Sequence, residues 1–166
     1  MDLTTIRIGR GIGDLPFGLT REQVKELLGE PPRIVHGVEE PDSEIWFYED
    51  RALAVGFEPE YEGRLGSIET YDPRATLNGR TLIGLTIMEV ALALKDSFAF
   101  PIEAIFGEDE ETPEQLRIPD LSISFWNEGI VIESISLGVI ASDSGEVLWP
   151  EADGGTKEEA GAGSVN

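Results

Sequence analysis

The phrase Gly18-Leu19-Thr20-x-x-x-Val24 is written a second time in this chain, as Gly84-Leu85-Thr86-x-x-x-Val90. Self-similarity at a fixed offset marks one supersecondary unit used twice, and in a chain of 166 residues that bounds the whole architecture. Each copy carries the chemistry of a helix start. Thr20 with Gln23, and Thr86 with Glu89, read as Thr-x-x-Gln/Glu capping boxes, in which the hydroxyl accepts an amide of the first turn and the longer side chain reaches back. Behind the caps, Val24, Leu27 and Leu28 and then Val90, Ala93 and Leu94 fall at helical spacing. The first helix should stop at Gly29, which can turn left-handed, ahead of Pro31-Pro32.

After each helix the apolar period changes to 2. Leu53, Val55 and Phe57 alternate with Ala52, Ala54 and Gly56, and Leu121, Ile123 and Phe125 alternate with Ser122 and Ser124. A further strand is predicted at Arg64–Glu69 and at Val131–Ser136, where Ser67-Ile68 matches Ser134-Ile135. The expected fold class is therefore α+β: two tandem helix-plus-antiparallel-meander repeats sharing one sheet, with the helices on one face. The repeats are placed at about residues 14–72 and 80–140 of a single domain, 1–150, and Val147-Leu148-Trp149-Pro150 forms a C-terminal clip. Residues 151–166 are acidic, Gly- and Ala-rich and almost without large aliphatics, so they are expected to be a disordered tail.

The run Gly18-Leu19-Thr20-Arg21-Glu22-Gln23-Val24, then Leu27-Leu28-Gly29-x-Pro31, Trp46-Phe47-Tyr48, Val55-x-Phe57 and Arg64-x-x-x-Ile68, resembles the SmpA/OmlA (BamE-type) repeat. In tandem, the arrangement is similar to that of the β-lactamase-inhibitory protein. The match covers about residues 17–70; the second copy keeps the Gly-Leu-Thr cap and lacks the Leu-Gly-x-Pro ending. The resemblance implies a non-enzymatic protein-binding module with a sheet face as its contact surface.

Charge narrows the partners. Thirty-three acidic residues against twelve basic ones give a net charge of −21, which repels phosphate backbones and anionic membranes, so nucleic acid and lipid are excluded as partners. The acid-rich composition, with lysine only at positions 25, 95 and 157, suits a salt-rich cytoplasm; it also suits docking of a basic protein partner. With no cysteine there is no thiol chemistry, and no run reaches the roughly 18 apolar residues of a membrane span. The first twenty residues carry Asp2, Arg7, Arg10 and Asp14 and do not read as a signal peptide, so a cytoplasmic location is expected.

Catalytic patterns are weak. His36 is the single histidine and reads as a solvated loop residue, since a metal or catalytic histidine needs converging partners. Gly9-Arg10-Gly11-Ile12-Gly13 lacks the lysine and Ser/Thr of a phosphate loop and reads as a turn, and Glu108–Glu111 reads as an exposed loop. No catalytic residue, cofactor or metal is expected. The residues expected to bind a partner are aromatic. If Ile45 and Phe47 face the helices, Trp46 and Tyr48 face outward, beside a floor of Ala52, Ala54, Gly56, Ser122 and Ser124 with Trp126. Tyr61 and Tyr71 extend that set. The expected function is a cytoplasmic protein-binding module of inhibitor or immunity type; the alternatives are a small-molecule or cation-binding protein using the open sheet face, and an enzyme with carboxylate chemistry.

Overall fold

A computed structural model describes residues 1–150. The expected tail, 151–166, lies outside the described residues. In chain order the strands are β1 (Ile6–Arg7), β2 (Gly11–Ile12) and β3 (Leu15–Pro16); β4 (Arg33–His36), β5 (Glu44–Tyr48), β6 (Leu53–Phe57) and β7 (Leu65–Thr70). There follow β8 (Thr76–Leu77), β9 (Arg80–Thr81), β10 (Glu103–Phe106), β11 (Pro113–Ile118), β12 (Ile123–Glu128) and β13 (Val131–Gly138). The helices are α1 (Arg21–Leu28) and α2 (Ile87–Ser97).

The dominant element is one antiparallel sheet of eight strands, ordered β10-β11-β12-β13-β7-β6-β5-β4. This corrects the expectation of helix-plus-meander repeats under a helical layer on one face. The reason is size. At about 1.5 Å per residue the 8 residues of α1 and the 11 of α2 make rods of roughly 12 and 16 Å, against about 34 Å across eight strands. Neither helix can roof a half of such a sheet, and each buries only two residues fully: Val24 and Leu28, Val90 and Leu94. The rest of the cover is β and turn. Ile6, Ile12, Leu15 and Phe17 from the β1–β3 segment, and Ala75, Leu77 and Leu82 around the β8–β9 hairpin, join the same core as Trp46, Phe57, Ile68, Phe125 and Ile135 of the sheet. Gly9, Gly11 and Gly13, which read as turn residues, punctuate this covering segment with positive φ.

The caps form as their chemistry dictates. Thr20 accepts from the Gln23 amide while the Gln23 side chain accepts from the Thr20 amide, and Thr86 and Glu89 do the same. Each cap is also stitched to a strand. Gly18 donates to the Leu65 carbonyl and Leu65 to that of Leu19; Gly84 donates to Ile132 and Ile132 to Leu85.

Turn length sets which side chains face the core. Residues 49–52 join β5 to β6 so that Tyr48 pairs with Leu53, Trp46 with Val55 and Glu44 with Phe57. Cross-strand partners share a face, so burying Leu53, Val55 and Phe57 buries Trp46 and Tyr48 with them. The turn closes on Ala52 in the left-handed region, φ 50, and the turn between β11 and β12 closes the same way on Ser122, φ 51.

Candidate functional site

Only one face of the sheet carries the core; the other has no layer packed on it among the described residues. Its side chains fall into cross-strand rows. One runs Arg33, Phe47, Ala54, Glu69, Ser136, Ser124, Arg117, Glu103 across all eight strands. Beside it lie Val35, Ile45, Gly56, Ser67 and Gly138, and on the other side Ser134, Trp126, Gln115 and Ile105. The centre is thus built of Ala54, Gly56, Ser67, Ser124, Ser136 and Gly138, between larger side chains on β4–β5 and on β10–β12.

The floor is small because the backbone and its neighbours leave no room. A Cβ on Gly56 would collide with the Ser67 hydroxyl, and one on Gly138 would come within 3.0 Å of the Ser122 hydroxyl. Above this floor lies an open depression of about 440 Å³, lined by Ser67, Arg117, Ser122, Ser124, Ser136 and Gly138 among others. On one flank Ile45 is 43% exposed and Val35 41%, and the Arg33 guanidinium stacks on the Phe47 ring at 3.9 Å while bonding Glu49 at 3.1 Å. On the other, Trp126 is 38% exposed and its indole N–H donates to the Ser136 hydroxyl at 2.9 Å. Arg117 reaches Glu103 at 3.3 Å.

Glu69 stands in the middle with both oxygens engaged: the Tyr71 hydroxyl donates to one at 2.8 Å and the Ser134 hydroxyl to the other at 2.7 Å. Burial pushes the Tyr71 phenol well above its usual range, and its bond to Glu69 and the charges of Glu69 and Glu133 push it further. At neutral pH Tyr71 is therefore a fixed donor.

The aromatic residues expected to bind a partner divide. Trp126 lies on the uncovered face with the expected serines, Ala54 and Gly56, and half-buried Tyr71 closes one end of it. Trp46 and Tyr48 do not: both are 1% exposed, so the orientation expected for β5 is inverted, and Ile45 and Phe47 take the outward places. Trp46 tilts against Phe57 at 4.5 Å and donates to Glu44 at 3.0 Å; Tyr48 donates to the Gly29 carbonyl at 2.9 Å, and burial pushes its phenol up to about 12. Tyr61 packs onto Gly66 and meets Trp149 edge-on at 6.2 Å, beside the covering layer. His36 ends strand β4 instead of lying in a loop, and is exposed.

The residues sequence reasoning missed are Val35, Ile45, Phe47 and Glu69. The length of the Glu49–Ala52 turn, which decides the parity of β5 against β6, places Ile45 and Phe47 outward, and the registers of β4 on β5 and of β7 on β6 set Val35 and Glu69 beside them. Among the described residues no group of three or more His, Cys, Asp or Glu is placed to hold a metal ion, and no helix is long and apolar enough to cross a membrane. No protein-family model, curated protein or solved structure matches the chain.

Proposed function

We propose that this chain is a cofactor-free protein-binding module, of inhibitor or immunity type, whose contact surface is the uncovered face of the eight-stranded sheet. The observation that carries the reading is that face itself: a floor of Ser, Ala and Gly flanked by Val35, Ile45 and Phe47 on one side and Trp126 on the other. About 34 Å by three rows of side chains offers roughly 600 Å², close to one partner's share of a standard interface. Trp126 is the anchor, since a tryptophan with an apolar body and a hydrogen-bonded N–H is the commonest kind of hot spot. The resemblance of residues 17–70 to the BamE-type repeat supports the same class of function. Net charge of −21 favours a partner with a basic contact surface, and the acid-rich, lysine-poor composition supports a salt-rich cytoplasm as the setting.

The test is capture of partner from host lysate at matched salt, with Trp126→Ala and Ser124→Arg as paired variants. The first removes the anchor and the second fills the floor. Both should remain folded and unfold cooperatively, while binding weakens by about 2 kcal/mol or more. Undiminished capture by both variants refutes the assignment of this face.

A further inference from the structure

The large sheet ends in two edges of unlike character. At β10 the chain enters through Pro101 and Ile102, the ladder is broken by a bulge between Ile105 and Phe106, and Glu108–Glu111 follow directly. Bulges and charges are the means by which sheets close an edge to further pairing. The opposite edge, β4, is also entered through prolines, Pro31-Pro32, and followed by Glu39 and Glu40, but it carries no bulge. Its ladder with β5 runs without a register shift from Arg33–Phe47 to His36–Glu44. Gly37 donates to the Ser43 carbonyl, so residues of the same parity, Arg33 and Val35, bond to β5. The amides and carbonyls of Ile34 and His36 therefore point to the free edge. Ile34 and Val35 are each 41% exposed.

Charge says what fits there. Exposed Glu30, Glu49 and Asp50 stand at the Arg33 end of β4 and exposed Glu39, Glu40 and Asp42 at the His36 end. At the Arg33 end Glu49 meets the Arg33 charge at 3.1 Å and Glu30 meets Lys25 at 3.6 Å, so the His36 end carries the larger unmatched negative charge. Beyond the His36 end, burial raises the Glu58 pKa, and hydrogen bonding with Glu60 and the charges of Glu60 and Glu40 raise it further, so these carboxylates share one negative field.

We propose that β4 is a strand-addition site, which takes an extended segment of a partner protein with an apolar, β-branched centre and Lys or Arg at both ends. Main-chain hydrogen bonds to Ile34 and His36 supply the pairing, Ile34 and Val35 receive the centre, and the two acidic ends fix sign and length. A second copy of this chain is disfavoured by the same pattern. Antiparallel self-pairing sets Glu30, Glu49 and Asp50 of one molecule against Glu39, Glu40 and Asp42 of the other, twice over. Residues 151–166, with Glu151, Asp153, Glu158 and Glu159 against Lys157, carry the wrong sign. The site meets the sheet-face reading only at Val35: it uses backbone at the edge and leaves Trp126 and the serine floor untouched.

The probe is a labelled peptide with a Val-Thr-Val-Thr centre and Lys-Arg at each end, titrated into the full chain by fluorescence anisotropy. Saturable binding is expected, weakening as potassium chloride rises. His36→Pro removes an outward amide without touching the Arg33 and Val35 bonds to β5, and should weaken binding about tenfold, the scale of one lost hydrogen bond. His36→Ala keeps the amide and should bind within about twofold of wild type. N-methylation of the peptide's central amides tests the same pairing with the protein unaltered, and should abolish binding. Glu39→Lys with Glu40→Lys should weaken it as well. Three results overturn the proposal: no saturable binding, equal binding of the N-methylated peptide, or a dimer in sedimentation that His36→Pro dissociates.

Discussion

Trp46 is where the structure departs furthest from the facing expected of β5, and it gives the sharpest test of the fold. The indole is 1% exposed, lies against Phe57 at 4.5 Å, has the Lys25 ammonium 5.5 Å from its ring, and donates to a Glu44 oxygen that also accepts from Arg21 at 3.0 Å. Burying the roughly 200 Å² of a tryptophan at about 25 cal/mol per Å² sets a ceiling near 5 kcal/mol. Trp46→Ala should therefore destabilise by about 3–5 kcal/mol, a large part of the 5–15 kcal/mol that holds a typical domain. Trp46→Phe separates the bond from the packing. It keeps most of the apolar body, removes the N–H, and should lower stability by about 1–2 kcal/mol, since Arg21 still serves Glu44. Burial raises the Glu44 pKa, but the Trp46 and Arg21 hydrogen bonds and the Arg21 charge outweigh it and hold the carboxyl below its usual value. A lowered folded pKa means stability that is complete above the unfolded value and lost as pH falls through the folded one. The hydrogen-bond share of the Trp46→Phe deficit should therefore shrink on acidification. Urea unfolding followed by circular dichroism, at fixed salt and across pH, reads all three effects. A loss below about 1 kcal/mol for Trp46→Ala, with partner capture abolished, would refute the core placement of this residue.

Three further expectations follow from other parts of the molecule. Thr20→Ala and Thr86→Ala should each lower stability by about 1 kcal/mol, because each opens a reciprocal capping box; urea midpoints unchanged in both would contradict the caps. Glu58, whose pKa is raised by burial and then by Glu60 and Glu40, binds its proton more tightly in the folded state, so its ionisation destabilises as pH rises through that raised value. Glu58→Gln should be more stable than wild type at neutral pH and equal to it below about pH 4, and a constant difference across pH would exclude this cause. With 33 acidic and 12 basic residues, thermal midpoints should climb with potassium chloride as screening shortens the reach of repulsion to about 10 Å at 0.1 M; a flat curve would show that repulsion does not limit the fold.

The parts of the fold written in short-range chemistry are legible in the chain. Thr20 with Gln23 and Thr86 with Glu89 cap helices, and Leu53-Val55-Phe57 and Ile123-Phe125 face the core, because capping and alternation need only a few neighbouring residues. The facing of β5 is not legible in that way. Ile45-Trp46-Phe47-Tyr48 is apolar throughout, so it has no period, and its parity is fixed only by a turn that ends in an unforeseen left-handed alanine. β4 and β10 are equally illegible: four residues each, without alternation, they are strands because a neighbour supplies the ladder. The covering layer is illegible for a related reason. Two-residue strands such as β2 and β3 carry no periodic signal, yet they bring Ile12 and Leu15 into full burial. Of the candidate site, the small-residue floor and Trp126 could be read from alternation, whereas Val35, Ile45, Phe47 and Glu69 required the register.

The junction of β7 with β13 has a kinetic consequence. Every other ladder of the large sheet joins strands that are consecutive in the chain, while this one pairs Thr70 with Ile135 and Ile68 with Leu137, and Ser134 reaches Glu69 across a separation of 65 residues. Closing that span costs about 2.5 kcal/mol more chain entropy than closing a four-residue turn. Strands β4–β7 and β10–β13 can each gather through local contacts, so the expected order of folding joins them last, after the rate-limiting barrier. Ser134→Ala, which strips Glu69 of one partner, should then speed unfolding and leave the refolding rate almost unchanged. A chevron displaced in its refolding limb would place the junction inside the folding nucleus, and the two meanders would have to assemble together.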